Sequence, residues 1–212
     1  MWHSEASSLL ATMTCDAPYQ TQLRCHPATP THLVRGVAVR VGWEKGEALA
    51  LTFALEGDLS RLRIPAPQPP RRADRLWQHT CFEAFIRHPG EPAYCEFNFA
   101  PSGEWAAYVF RRYRDGMSLA PDLDPRIAVR STEDRLELDA LIRPECLPPG
   151  RPRARVQLAL SAVVEDEQGG LSYWALAHPP GRPDFHHPDA FALELERPGV
   201  NRGSASPEGD KR

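Results

Sequence analysis

The chain has 212 residues and a mass of 23.7 kDa, which suits one domain with a substantial buried core. Hydrophobic residues make up 42% and charged residues 25%, so a disordered or fibrous chain is excluded. The 25 basic and 28 acidic side chains leave a net charge of −3, without the basic excess of a general nucleic-acid binder. No apolar run approaches the roughly 20 residues that span a bilayer.

Two counts are unusual: 22 prolines, and 23 arginines among the 25 basic residues. Proline at this density discourages long helices, because each ring removes a donor and clashes with the preceding turn. The arginine bias carries no functional reading.

Residues 1–19 read as an N-terminal arm. Its apolar stretch, 9–13, is long enough for a turn or two of helix. It lacks the positive n-region and the h-region of about 7–15 apolar residues that mark a secretory signal. The cysteines at 15, 25, 81, 95 and 146 form no CxxC pair and no zinc-ribbon spacing. An odd count without an export signal points to reduced thiols and a cytoplasmic location.

Strand-like runs follow at 21–26, 33–43, 48–55, 80–87, 94–99, 105–113, 126–130, 136–142, 156–164, 171–177 and 191–195. Several alternate, with Leu33, Val37, Val39 and Val41 on one parity and Leu136, Leu138, Ala140 and Ile142 on another. Gly/Pro punctuation separates them, at Lys45-Gly46, Pro89-Gly90, Ser102-Gly103 and Gly169-Gly170. Short strands so spaced predict an all-β fold, a two-sheet antiparallel sandwich or a barrel, over residues 20–197. Pro/Arg-rich segments at 64–75, 143–155 and 178–188 read as surface loops, where binding residues concentrate. Residues 198–212, with one aliphatic side chain, read as a disordered tail.

The informative stretch is 76–108. The runs 80–87 and 94–99 flank Pro89-Gly90 and predict a hairpin. Setting Phe82, Ala84 and Ile86 on one face with Cys95, Phe97 and Phe99 gives a continuous apolar side. The other side then collects Glu83, Glu96 and Asn98 with Cys81, Phe85 and Tyr94, and continued alternation adds Trp77 and His79. Glu83 and Glu96 fall directly or diagonally opposite, where like charges repel by a few tenths of a kcal/mol or more. Such a face suits either polar recognition or a solvated exterior whose glutamates pair with arginines. A second segment, 171–195, ends in a loop holding His178, Arg182, Asp184, His186 and His187.

The runs Arg75-Leu76-Trp77, Cys81-Phe82-Glu83-Ala84-Phe85-Ile86 and Glu96-Phe97-Asn98-Phe99-Ala100-Pro101-Ser102-Gly103-Glu104-Trp105 resemble the bacterial DOMON-like domain family. That family is related to family 9 carbohydrate-binding modules, and segment 172–195 is also similar to it. The resemblance spans roughly residues 20–197 and implies a two-sheet β-sandwich that binds a ligand without catalysis, sugars or haem being usual for the family. The exported members carry signals that this sequence does not show.

A pyranose offers an apolar C–H face to an indole and hydroxyl edges to carboxylates, amides and guanidinium groups. The candidate ligand-binding residues are therefore Arg75, Trp77, His79, Glu83, Glu96, Asn98, Trp105 and His178. Trp105 and Trp174, each taken alone, fit a core better; Trp77, after a charged loop, is the best platform. Haem would need axial ligands, and the spacing of His79, His178, His186, His187 and the methionines demands none. A metal at His178, Asp184, His186 and His187 lacks the helical spacing of a zinc motif. The expected function is binding of a small sugar-like molecule, with no cofactor and no nucleic-acid or membrane partner. The alternatives are a hydrolase of sugar conjugates using Glu83 and Glu96, a haem-binding domain, or a protein-interaction module built on an exposed sheet face.

Overall fold

The computed structural model describes residues 11–13, 18–44, 48–120, 125–143, 145 and 155–198. In chain order the strands are β1 (Ala11–Met13), β2 (Tyr19–Cys25), β3 (Val34–Trp43), β4 (Leu49–Gly57), β5 (Arg71–Arg72), β6 (Cys81–Arg87) and β7 (Tyr94–Phe99). They continue with β8 (Glu104–Phe110), β9 (Ser118–Leu119), β10 (Arg126–Ser131), β11 (Arg135–Ile142), β12 (Arg155–Glu165), β13 (Leu171–Ala175) and β14 (Leu193–Glu196). Helical structure among the described residues is confined to short 3-10 turns, including Leu59–Arg61, Leu76–Gln78 and Pro188–Ala190.

The strands pair in the order β10-β11-β4-β3-β2-β13-β12-β6-β7-β8-β5. The β2–β13 join is only Trp174↔Cys25 and Ala175↔Arg24, and there the sheet folds over into two layers. Between the layers lies the main core. Val37, Val39, Val41, Leu51, Phe53, Leu136 and Leu138 of one layer meet Phe82, Ile86, Phe97, Phe99, Leu158 and Leu160 of the other. The Phe53 and Phe82 rings stack across it at 5.1 Å. This is an all-β sandwich.

The layers differ in their outer faces. In β11 buried and half-exposed residues alternate strictly, because its outward side meets water. That exterior carries an ionic strip in which Arg130 pairs with Glu137 and Asp139, and Arg135 with Glu137. By contrast, β6 and β7 are buried at nearly every position. Their second face lies beneath the 72–79 and 178–191 segments and forms a smaller core of Phe85, Tyr94, Ala106, Tyr108, Phe110, Val163, Phe185 and Phe191.

Several details depart from expectation. The arm contributes β1, a strand running parallel to β14, where the apolar stretch reads as helical in isolation. The β5–β8 pairing is also parallel, while the longer pairings are antiparallel as expected. A bulge between Val34 and Gly36 shifts β3 against β4, so Leu33 and Val34 are both buried despite opposite parity. Cys25 and Cys81 form no disulfide with another described residue. Cys15, Cys146, the tail 199–212 and nearly all of loop 143–155 lie outside the described residues.

Candidate ligand-binding cleft

The hairpin register is the one the apolar pattern requires: Phe82 faces Phe99, Ala84 faces Phe97 and Ile86 faces Cys95. On the opposite face Glu83 sits across from Asn98 of β7 and Ser161 of β12. Glu96 sits across from Phe85 of β6 and Tyr108 of β8. The two glutamates are therefore diagonal neighbours, and they are only 3% and 4% exposed. Neither forms an ion pair with an arginine among the described residues, so the solvated-exterior alternative fails for this face.

Above them opens a cleft of about 650 Å³. Glu83 and Glu96 line it together with Trp77, Tyr108, Phe110, Tyr173 and Phe185, while Arg114, Met117, Arg182 and His186 complete its rim and wall. Trp77 reaches it through a local device. Asp74 accepts hydrogen bonds from the Tyr108 hydroxyl and from the Arg75 N–H (2.8 Å). Arg75 adopts a left-handed conformation (φ 59°), which turns the chain into the 3-10 turn at Leu76–Gln78. The Trp77 indole then meets Tyr108 edge to face at 5.8 Å.

The 178–188 loop is held by Asp184. Its carboxylate accepts from Arg114 (2.8 Å), the Tyr113 hydroxyl (2.6 Å) and the His186 N–H (3.1 Å). Burial alone would raise the Asp184 pKa, but these hydrogen bonds outweigh it and hold the carboxyl below its ordinary value. His186 is thereby seated against Phe85 (5.0 Å) and Phe110 (5.2 Å). The Arg114 N–H donates to the Tyr94 oxygen (3.2 Å), and the Tyr94 hydroxyl lies 2.7 Å from His186 Nδ1. With Tyr94 donating to Nδ1, the imidazole carries its proton on Nε2, which points at Glu96 Oε2 from 3.8 Å. Burial, reinforced by the Arg114 charge, drops the His186 pKa to about 4, so the ring is neutral near pH ~7.

The acids move the other way. Burial first, and repulsion from Glu96 second, push Glu83 well above the carboxylate range. Burial raises Glu96 to about 7, against a hydrogen bond from Asn98 Nδ2 (2.8 Å) and the attraction of Arg114, which both pull it down. Glu83 Oε1 is buried with no hydrogen-bond partner, as is Ser161 Oγ on the neighbouring strand. A buried polar oxygen without a partner costs about 1–3 kcal/mol.

Of the residues singled out from sequence, the structure brings Trp77, Glu83 and Glu96 together in the cleft. Asn98 lies directly behind, fully buried, orienting Glu96. The others are elsewhere. Trp105 faces the main core opposite Phe99, with Arg72 packed over its ring at 4.8 Å, because its parity on β8 is that of the core. Arg75 and His79 line a separate hollow, where His79 Nδ1 meets the buried Glu165 at 2.7 Å and Arg63 joins from the other side at 2.8 Å. His178 is pinned by the Arg24 carbonyl (2.8 Å from Nε2) and packs edge-on against His26. No group of His, Cys, Asp and Glu side chains among the described residues is arranged to hold a metal ion.

Sequence reasoning missed Tyr108, Phe110, Tyr173, Phe185, His186, Arg114 and Arg182 as cleft residues. Tyr108 and Phe110 were reachable, since carrying the alternation of β7 one strand further puts them on the glutamate face. For the loop residues the only signal was the density of His, Arg and Asp between 178 and 187.

The architecture has counterparts among solved structures. A proposed carbohydrate-binding protein from Bacteroides uniformis aligns with a TM-score of 0.61 at 15% identity, covering 88% of this chain and 96% of that one. A family 9 carbohydrate-binding module from Caldicellulosiruptor kristjanssonii in complex with cellotriose aligns with a TM-score of 0.55 at 11% identity, over 91% and 89% of the respective chains. The chain shares their fold. A glucose complex of a family 9 module from the same organism gives a TM-score of 0.50 at 10% identity, over 92% and 99%. No protein-family model matches the sequence, and no curated protein matches it significantly. At such identities the likeness is one of fold.

Proposed function

We propose that the chain binds a saccharide or sugar-derived metabolite in the cleft over β6, β7 and β8, and performs no chemistry on it. The observation that carries this is the aromatic-lined cleft itself, with the carboxyl groups of Glu83 and Glu96 among its lining. Sugar hydroxyls can bond to such polar groups while the C–H face of the ring packs on Trp77. The shared fold with modules solved with cellotriose and glucose supports the same reading. The finer placement among DOMON-like domains rests on the sequence motif alone.

The test is a tryptophan-fluorescence titration with a panel of mono- and disaccharides, run in parallel on Trp77→Ala. The expected result is a saturable change with at least one sugar, and affinity about tenfold weaker in the variant, corresponding to roughly 1.4 kcal/mol of lost aromatic contact. Wild-type protein unresponsive to every sugar would refute the proposal. Turnover of a glycoside that disappears in Glu83→Gln while affinity persists would replace it with the hydrolase alternative.

A further inference from the structure

Glu83 and Glu96 are buried acids without a matching cation. Glu96 Oε1 accepts from the neutral amide of Asn98, and its other oxygen faces an uncharged imidazole. Glu83 Oε1 has no partner at all. The guanidinium groups of the cleft do not fill the gap. Arg114 is bound to Asp184 at 2.8 Å, and Arg182 is exposed at the mouth, where solvent screens it. Buried carboxylates are ordinarily paired with a cation or kept protonated. Around these two the lining includes Trp77, Tyr108, Phe110, Tyr173 and Phe185, and aromatic side chains are the residue type that attracts a positive charge.

From this geometry we infer that the cleft takes a ligand bearing an ammonium group, an amino sugar or similar polyhydroxylated amine, whose nitrogen sits between Glu83 and Glu96. This rests on the saccharide reading for the remainder of the ligand and deepens it at one substituent. A hydroxyl would donate a hydrogen bond to the acids yet bring no charge to offset their ionisation. An ammonium brings both: three N–H donors for the facing carboxylate oxygens, and a charge that the aromatic wall also favours. An anionic sugar is disfavoured, because its charge would further oppose ionisation of the two acids and gains no matching cation on the cleft floor.

The experiment is isothermal titration at neutral pH with glucosamine, galactosamine and mannosamine, each beside its N-acetyl derivative and parent hexose, and with cyclohexylamine as an amine lacking hydroxyls. At least one free hexosamine is expected to bind about tenfold tighter than its acetylated and parent forms, the ratio separating a charge-assisted from a neutral hydrogen bond. In Glu83→Gln, which keeps the side-chain shape and removes only a buried acid, the ratio of free-hexosamine to parent-hexose affinity should fall to about one, whatever the variant does to hexose affinity itself, and an unchanged ratio would overturn the inference. Parent hexoses binding as tightly as the amines would overturn the inference and leave the saccharide reading standing. Binding of cyclohexylamine with no response to any sugar would uphold the ammonium site and overturn the saccharide reading. No binding by any probe would overturn both.

Discussion

Replacing Glu96 by Gln should stabilise the protein, and increasingly so as the pH rises. Glu96 is buried, and its pKa moves from an ordinary 4.5 to about 7 on folding. An acid raised in this way holds its proton more tightly in the folded state. Its stabilising contribution is fully present below about pH 4.5 and is lost as the pH climbs through about 7. A shift of that size amounts to about 3 kcal/mol at alkaline pH and about 1 kcal/mol near pH ~5, taking 1.36 kcal/mol per unit. Gln removes this penalty and also relieves the repulsion felt by Glu83. It retains the oxygen that accepts from Asn98, and His186 Nε2, at 3.8 Å, makes no close contact with the oxygen that becomes the amide nitrogen. The assay is thermal melting of both proteins at about pH 5 and about pH 8.5, with the difference between them as the observable. His186, whose lowered pKa makes stability rise with pH between about 4 and 6.5, titrates in both and cancels. For a domain of this size the melting advantage of Glu96→Gln should grow by roughly 5–10 °C across that range. An advantage that is constant with pH, or a variant less stable at the alkaline end, would refute the account of Glu96 as a buried acid without a countercharge.

Two further substitutions probe the supports of the cleft. Asp184→Asn should release the 178–188 loop from Arg114 and Tyr113, weakening ligand binding and speeding amide hydrogen exchange at residues 182–187. Because Arg114 is half-exposed, the loss in global stability should stay at about 1 kcal/mol or less, and unchanged exchange in the loop would contradict its role as an anchor. Gly57→Ala should cost about 1–3 kcal/mol in urea denaturation. A Cβ there would lie 2.3 Å from the Leu33 carbonyl oxygen, which accepts from the Asp58 N–H at 2.8 Å beside the β3 bulge. An unchanged urea midpoint would show that the bulge can shift without cost.

The sequence by itself determined the strands and the hairpin at the centre of the molecule. Phe82, Ala84 and Ile86 can share a buried face with Cys95, Phe97 and Phe99 only in pairings of one parity, and that parity carries Glu83 and Glu96 to the other side whatever the rest of the chain does. Elements of two or three residues, β1, β5 and β9, were invisible because they are too short to show alternation. Trp105 shows the limit of composition: an indole suits a sugar, but its parity beside Phe99 commits it to the core. The face that holds the glutamates was legible; that it is a cleft was not. Burial of Glu83 and Glu96 depends on loops 72–79 and 178–188 closing over the sheet, and these are placed by Asp74 with Tyr108 and by Asp184 with Arg114. Such contacts join residues 34 and 70 positions apart in the chain, where no local periodicity can announce them. The pKa of each acid follows from that desolvation, so the chemistry of the site exists only once the tertiary structure has excluded water from it.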